Sequence, residues 1–342
     1  MKVIRSLVLL LLVVTMVAGC QAPAAAPTAA PAKAPATTAA PAGAVAPLSK
    51  EYKLSFATGG TAGTYYPYGG AIAGVWGKNI KGVTVNVEAT GGSVENLRLL
   101  QNKQVELAFT QNDIADYAYK GTEMFNGGKV TNFRSLGALY PEVLQWAVSP
   151  NIKSLADLKG KRFVVGPAGS GTEVNSRQVF EANGLSFKDL SKSTQLSYAE
   201  AATAMKDRQT DGFATTAGIP NSAITDAGTG VDVTLLPIDG DVAKNVIQKN
   251  PFFVQTKIPA NSYKFQTADV NTIAVLSTVV VREDLDTDLV YWLTKTLVEK
   301  QSELAAANAK GKELSKDSIT KGLTVPLHPC AEKYYKEVGI IK

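Results

Sequence analysis

From residue 51 onward the chain alternates two kinds of apolar pattern. Short runs dense in β-branched and aromatic residues, at 52–57, 83–88, 107–110 and 162–166, have the length and composition of strands. Between them lie longer stretches with the look of helices: 66–78, with Pro67 tolerated in its first turn, 94–102 behind a Ser93 cap, 174–182 and 199–207. A strand and loop follow at 212–220, another strand at 231–235, a β-branched run at 273–281 and a long helix at 289–308. Strands alternating with helices of this length predict parallel sheets that present ligand sites at the carboxyl ends of their strands. A second unit starts near Ser149, and the pattern changes again near Phe252, which reads as a return to the first. The expected organisation is two α/β lobes, 49–145 with 255–342 and 146–254. Crossings near 143–148 and 253–256 would form the hinge between them.

Two glycine-rich loops occupy equivalent places in these units. The first is Thr58-Gly59-Gly60-Thr61-Ala62-Gly63-Thr64-Tyr65-Tyr66-Pro67, and the second Gly166-Pro167-Ala168-Gly169-Ser170-Gly171-Thr172-Glu173. Each follows a predicted strand and opens a predicted helix. Glycine lets backbone approach a ligand closely, and a helix start offers unpaired N–H groups with partial positive charge. One such loop alone is an ordinary tight turn; two facing each other would grip a small anion, most simply a carboxylate. Neither loop carries the lysine of a phosphate-binding P-loop or the spacing of a dinucleotide fingerprint.

The N-terminus adds a destination. Lys2 and Arg5 precede an apolar run at 7–17, too short to span a membrane, which ends in Val17-Ala18-Gly19-Cys20. That ending is like a lipobox, so residues 1–20 read as a lipoprotein signal peptide with Cys20 as the acylated first residue. Alanine, proline and threonine then dominate 21–48, which lacks the apolar residues a core needs and is expected to be an extended tether. The net charge of +5 falls to +3 once Lys2 and Arg5 are set aside, which favours neither nucleic acid nor a polybasic membrane surface. If Cys20 carries lipid, Cys330 has no partner in the chain and no disulfide framework exists.

Catalytic chemistry finds few candidates. The one histidine, His328, sits in Pro326-Leu327-His328-Pro329-Cys330, too stiff and too close to the thiol for a nucleophile–base pair, and better suited to packing or capping the terminal helix. One His and one Cys also fall short of a zinc site. No cofactor or metal is expected. Tyr65, Tyr66 and Tyr68 could line a pocket or pack between helices. Arg98 and Arg177 lie a turn or more past their loops and read as solvated or salt-bridged.

TGGTAGTYYP, ATGGSVENLRLLQNKQVELAFTQND, GPAGSGTE and TVPLHPCAEKYYKE together resemble the TAXI family of solute-binding proteins, which serve TRAP-type secondary transporters. The likeness covers nearly all of the folded region. It implies a type II periplasmic-binding-protein fold that closes on glutamate or 2-oxoglutarate and then docks on a membrane permease. It further implies contacts from Thr58, Gly59, Thr61, Thr64 and Tyr65 in the first loop, Ser93 and Asn96 at the second helix, and Gln111 and Asp113 beyond the third strand. From the opposite lobe come Ser170, Gly171 and Thr172, with Thr216, Gly218 and Pro220. Asp113 would meet a ligand amino group. Cys330 stands where the family pattern has glycine, and 207–211 lacks the usual glycine, both away from the expected pocket. The expected function is thus an extracytoplasmic, lipid-anchored, monomeric receptor for a small carboxylate or amino acid. The alternatives are a binding protein for an ABC importer or a sensor and, behind these, a transferase on the same fold.

Overall fold

Strand and helix follow one another because apolar runs of period two give way, at glycine or a capping residue, to stretches whose apolar positions share one helical face. The structure, a computed structural model, describes residues 47–342; the signal peptide, Cys20 and all but the end of the tether lie outside the described residues. In chain order the principal elements are β1 (Tyr52–Ala57), α1 (Tyr65–Asn79), β2 (Val83–Glu88), α2 (Ser93–Gln101), β3 (Leu107–Gln111) and α3 (Asn112–Lys120). Then come the long β4 (Phe133–Val148), β5 (Arg162–Val164), α4 (Gly171–Ala182), β6 (Lys192–Thr194), α5 (Tyr198–Lys206) and β7 (Gly212–Ala217). The chain continues through α6 (Ser222–Gly230), β8 (Thr234–Leu236), α7 (Gly240–Lys249), β9 (Val254–Ile258) and the long β10 (Val270–Arg282). It closes with α8 (Thr287–Glu299), α9 (Gln301–Ala307) and α10 (Pro329–Glu337).

The strands hydrogen-bond in the order β2-β1-β3-β10-β4-β7-β5-β6, with β8 on β4 and β9 on β10. β1 pairs in parallel with β2 and β3 at one end, and β5 pairs in parallel with β6 and β7 at the other. The antiparallel pair β4 and β10 joins the two ends, with register shifts at Ser277/Thr278 and Val279/Val280. This is the type II periplasmic-binding-protein fold: two α/β lobes strung on a pair of long strands.

Each lobe has its own cores. Phe56, Trp76, Phe109, Tyr140, Leu293 and Tyr335 share one cluster, and Leu97, Ile114, Phe133 and Val280 another. Trp146, Phe163, Phe180, Phe253 and Val275 pack together in the second lobe, beside a cluster of Phe213, Ile224, Tyr263 and Ala274. β4 therefore passes from one core to the other between Tyr140 and Val143. The return lies along β10, with Val275 in a second-lobe core and Val279 in a first-lobe core. The composition change near Phe252 instead marks β9, which folds back on the first part of β10 as a hairpin.

Several local expectations change in detail. Ser93 is the first residue of α2, and Gly92, at φ 114°, holds the cap position. β3 runs one residue past the expected 107–110, through Gln111, and straight into α3. The long C-terminal helix is two, α8 and α9, meeting at Lys300. His328 caps α10, its Nδ1 accepting from the Cys330 N–H at 3.3 Å with Pro329 as the first helical residue.

Candidate functional site

The carboxyl ends of β1 and β3 and the starts of α1, α2 and α4 converge on a cavity with about 440 Å³ of empty space. Its walls come from both lobes. Gly59, Gly60, Gly63, Thr64 and Tyr65 supply one side, with Gly91, Gly92, Ser93, Gln111 and Glu142 behind them. Pro167, Ser170, Gly171, Thr172, Tyr198 and Thr216 supply the other.

The second glycine loop is held as a helix start. Ser170 caps α4: its Oγ accepts from the Glu173 N–H at 3.0 Å and donates to the Pro167 carbonyl at 2.6 Å. The first N–H groups of α4, at Gly171 and Thr172, have no helix carbonyl to donate to, and both residues line the cavity. Gly171 is required by contact, since a Cβ there would lie 1.9 Å from Gln111 Oε1. Thr172 Oγ1 and the Tyr198 hydroxyl lie 2.5 Å apart, and both accept from the Thr216 N–H, at 3.3 and 3.1 Å.

Not every helix-start donor in the cleft is open. The N–H groups of Val94 and Glu95 both donate to the Gly169 carbonyl at 3.1 Å, so the second loop caps the first-lobe helix α2 directly. The Gly218 N–H donates to Thr64 Oγ1 at 3.0 Å, and Ser222 Oγ donates to the Ala62 carbonyl at 2.9 Å. The lobes are thus shut on each other around the cavity.

Glu142 is the one charged side chain among the cavity-lining residues, which include no lysine or arginine. It is 3% exposed. Its Oε1 accepts from the Tyr140 hydroxyl at 2.8 Å and its Oε2 from Gln111 Nε2 at 3.1 Å. Burial pushes its carboxyl up to about 7, against the lowering effect of Tyr140, Gln111 and Tyr65. The Tyr65 ring stacks on Phe109 at 4.6 Å. The Tyr65 hydroxyl, Gln111 Oε1 and Thr216 Oγ1 are buried without a partner and so form unfilled polar positions around the cavity.

Of the residues singled out from the sequence, the structure brings Gly59, Thr64, Tyr65, Ser93, Gln111, Ser170, Gly171, Thr172 and Thr216 to this cavity. Six lie elsewhere. Thr58 ties β1 to β2, its Oγ1 donating to the Glu88 carbonyl at 2.6 Å. Asn96 is fully buried beneath α2, donating to the carbonyls of Thr58 and Phe109 at 2.7 and 2.8 Å. Asp113 is buried between α3 and α4 against Asn175. Gly218 bonds Thr64 as above, while Thr61 and Pro220 line a neighbouring surface depression.

Sequence reasoning passed over Glu142, Tyr198 and the paired glycines Gly91 and Gly92. A lone acid inside the apolar run of β4 was the available signal for the first. Tyr198 follows a Ser197–Glu200 capping box, which marks a helix start at the same end of its lobe as the glycine loop. Of the tyrosines, Tyr65 faces the cavity, whereas Tyr68 is packed edge-on against Tyr140 in the core. Arg177 pairs with Glu123 and Glu181, and Arg98 lies over the Phe125 ring.

A model of the NMT1-like family matches residues 56–339. Among solved structures, PhnD1 from Prochlorococcus marinus MIT 9301, in complex with methylphosphonate, is 11% identical with a TM-score of 0.53, covering 84% of this chain and 99% of that one. A structure from Bordetella bronchiseptica RB50 is 17% identical with a TM-score of 0.50, covering 84% and 81%. The periplasmic aliphatic sulphonate binding protein SsuA from Escherichia coli is 16% identical with a TM-score of 0.47, covering 86% and 84%. At these identities the likeness is one of fold.

Proposed function

For a chain that belongs to the NMT1-like family, we propose the role of an extracytoplasmic solute-binding protein that closes two lobes on a small polar solute and delivers it to a membrane importer. The observation that carries this reading is the cavity itself. Loops and a helix start from both lobes converge there on one space, with unfilled hydrogen-bonding positions in its wall.

The solute is a small carboxylate that also bears an ammonium group, glutamate-like in preference to 2-oxoglutarate-like. Its carboxylate would take the Gly171 and Thr172 N–H groups with the Thr172 hydroxyl, and its ammonium would face Glu142 and Gln111. An anionic solute without an ammonium group would meet Glu142 with no lysine or arginine among the lining residues to offset it. Calorimetry with glutamate, 2-oxoglutarate and methylphosphonate tests this. Glutamate is expected to bind at least tenfold more tightly than the other two, and Glu142→Gln should erase that preference. Tighter binding of methylphosphonate would overturn the reading.

For the membrane partner, the ABC-type importer stands ahead of the TRAP-type permease that the TAXI likeness suggests. The description of the matched family names neither kind of importer, so this order is part of the proposal. Co-purification with each type of permease distinguishes the two. The proposed lipid anchor at Cys20 is tested by Cys20→Ser, which should move the protein from the membrane fraction to the soluble one.

A further inference from the structure

Behind the cavity, α3 of the first lobe runs against α4 of the second; two polar contacts bridge them, and a third joins α4 to the turn that follows α3. Asn175 Nδ2 donates to Asp113 Oδ2 at 2.9 Å, Gln178 Nε2 donates to the Tyr117 hydroxyl at 2.8 Å, and Arg177 pairs with Glu123 at 3.2 Å. The last is at the surface. The first is wholly inside, with Asp113 and Asn175 both at 0% exposure.

The inner contact is incomplete as drawn by its heavy atoms. Asp113 Oδ1 and Asn175 Oδ1 are both buried without a partner. A carboxylate facing a carboxamide can fill only one of the two positions, because its second oxygen and the amide oxygen are both acceptors. A carboxylic acid fills both: Oδ2 accepts from the amide Nδ2, while a proton on Oδ1 is donated to the amide oxygen. One proton resolves two buried orphans at once.

The surroundings favour that proton. Burial raises the Asp113 carboxyl to about 7, over the opposing pull of the α3 N–H groups at Asp113 and Ile114 and of Asn175. The charges near it are acidic. Asp116, one turn along α3, adds to the rise, although it is itself paired with Lys120 at 2.9 Å. Glu142 on β4 and Asp113 disfavour each other's ionised form. Tyr117, on the same helix, is a neutral hydroxyl. From α4 the facing residue is neutral Asn175, and the cation of that helix, Arg177, is engaged by Glu123 and Glu181.

We propose that Asp113 and Asn175 form a proton-dependent clasp between the lobes: a cyclic acid–amide pair that holds α3 to α4 when Asp113 is protonated and is weakened when it ionises. Ionisation leaves a buried charge with one hydrogen bond to α4, and separating the lobes is the route by which water reaches it. The device is independent of which solute the cavity takes. It couples the shut form of the cleft to proton concentration around neutrality.

The test uses the mature chain without added solute. Infrared difference spectra between about pH 6 and pH 8.5, either side of the raised carboxyl, should show a protonated-acid carbonyl band disappearing in the wild type. Glu142, raised to the same range, loses a band of its own in this interval, so the component assigned to Asp113 is the one absent in Asp113→Asn and still present, with its pH response, in Glu142→Gln. Small-angle scattering should show the wild type expanding over the same interval. Asp113→Asn, whose amide supplies one donor and one acceptor at every pH, should stay compact throughout, and Asn175→Ala should be expanded at both ends. The proposal is overturned if Asp113→Asn shows the same set of pH-sensitive acid bands as the wild type, if that variant expands as the wild type does, or if Asn175→Ala stays compact and pH-responsive.

Discussion

Glu142 shows how one side chain can set both the stability and the selectivity of a site. Its folded-state carboxyl is raised to about 7 from an ordinary 4.5, so the folded protein keeps a proton that the unfolded chain has already released. Stability from this group is therefore complete below about pH 4.5, falls as pH climbs through 7, and is level above. Fully ionised, the burial penalty is about 3 kcal/mol. Glu142→Gln is expected to raise stability at pH 8 by up to that amount and to flatten the slope between pH 5 and 8, read by urea denaturation. The new amide need not clash with Gln111, whose own Oε1 lacks a partner and can turn to accept. An unchanged slope would mean that Glu142 is ionised throughout.

A second prediction at this scale concerns the far wall. Ser170→Ala with Thr172→Ala removes the α4 cap and the hydroxyl that meets Tyr198. Hydrogen bonds to a charged ligand contribute roughly 1.5–3 kcal/mol each, so solute binding should weaken at least tenfold by calorimetry. The lost cap should cost about 1 kcal/mol of stability besides. Unaltered affinity would remove the second loop from the site.

Among elements, the sequence was most readable where one pattern governed. β1 and β2 fall where the β-branched runs place them, and the glycine loops do open helices. The departures have local causes. Gly92 took the cap of α2 at φ 114°, a backbone that side-chain-bearing residues rarely adopt, and its neighbour Gly91 lies so close to the second loop that a Cβ would sit 2.4 Å from the Ala168 carbonyl oxygen, a contact no local pattern announces. The 289–308 stretch reads as one helix because no proline or glycine interrupts it, yet it breaks at Lys300. The site was half legible for the same reason. Residues at loop starts are visible by their type, whereas Glu142 is brought in by the pairing of β4 with β10, 133 residues downstream at Val275. Asn96 and Asp113 were equally polar and equally near, but their helices turn them toward backbone carbonyls and a neighbouring helix. At this scale Gly171→Ala is the informative change. Its Cβ would displace the Gln111 amide, which is 2% exposed and held by Glu142. Binding should fall by more than tenfold while α4 itself stays folded, as judged by calorimetry beside circular dichroism. Retained affinity would show that Gln111 has room the packing does not indicate.

For the whole molecule, β4 and β10 decide what can move. Two long strands carry the chain between lobes whose cores also meet where Val174 of α4 packs in a first-lobe cluster, and the Ser277/Thr278 register shift in β10 lies between its second-lobe and first-lobe stretches. Bending there would part the lobes at the cost of the Val174 contact. At about pH 8.5, where the Asp113 clasp is released, scattering with and without saturating solute should show compaction on binding. Identical curves would mean that the cavity fills by local motion alone.

Consider, finally, what the bond from Gly169 to the head of α2 means for an empty receptor. Parting the lobes strips two amides of their acceptor and hands them to solvent, while shutting them restores a helix end that is whole without any cargo. The vacant protein therefore carries its own incentive to snap shut. On the role proposed above, a solute enters only while the lobes are parted, and a residue that loosens this tie would speed loading.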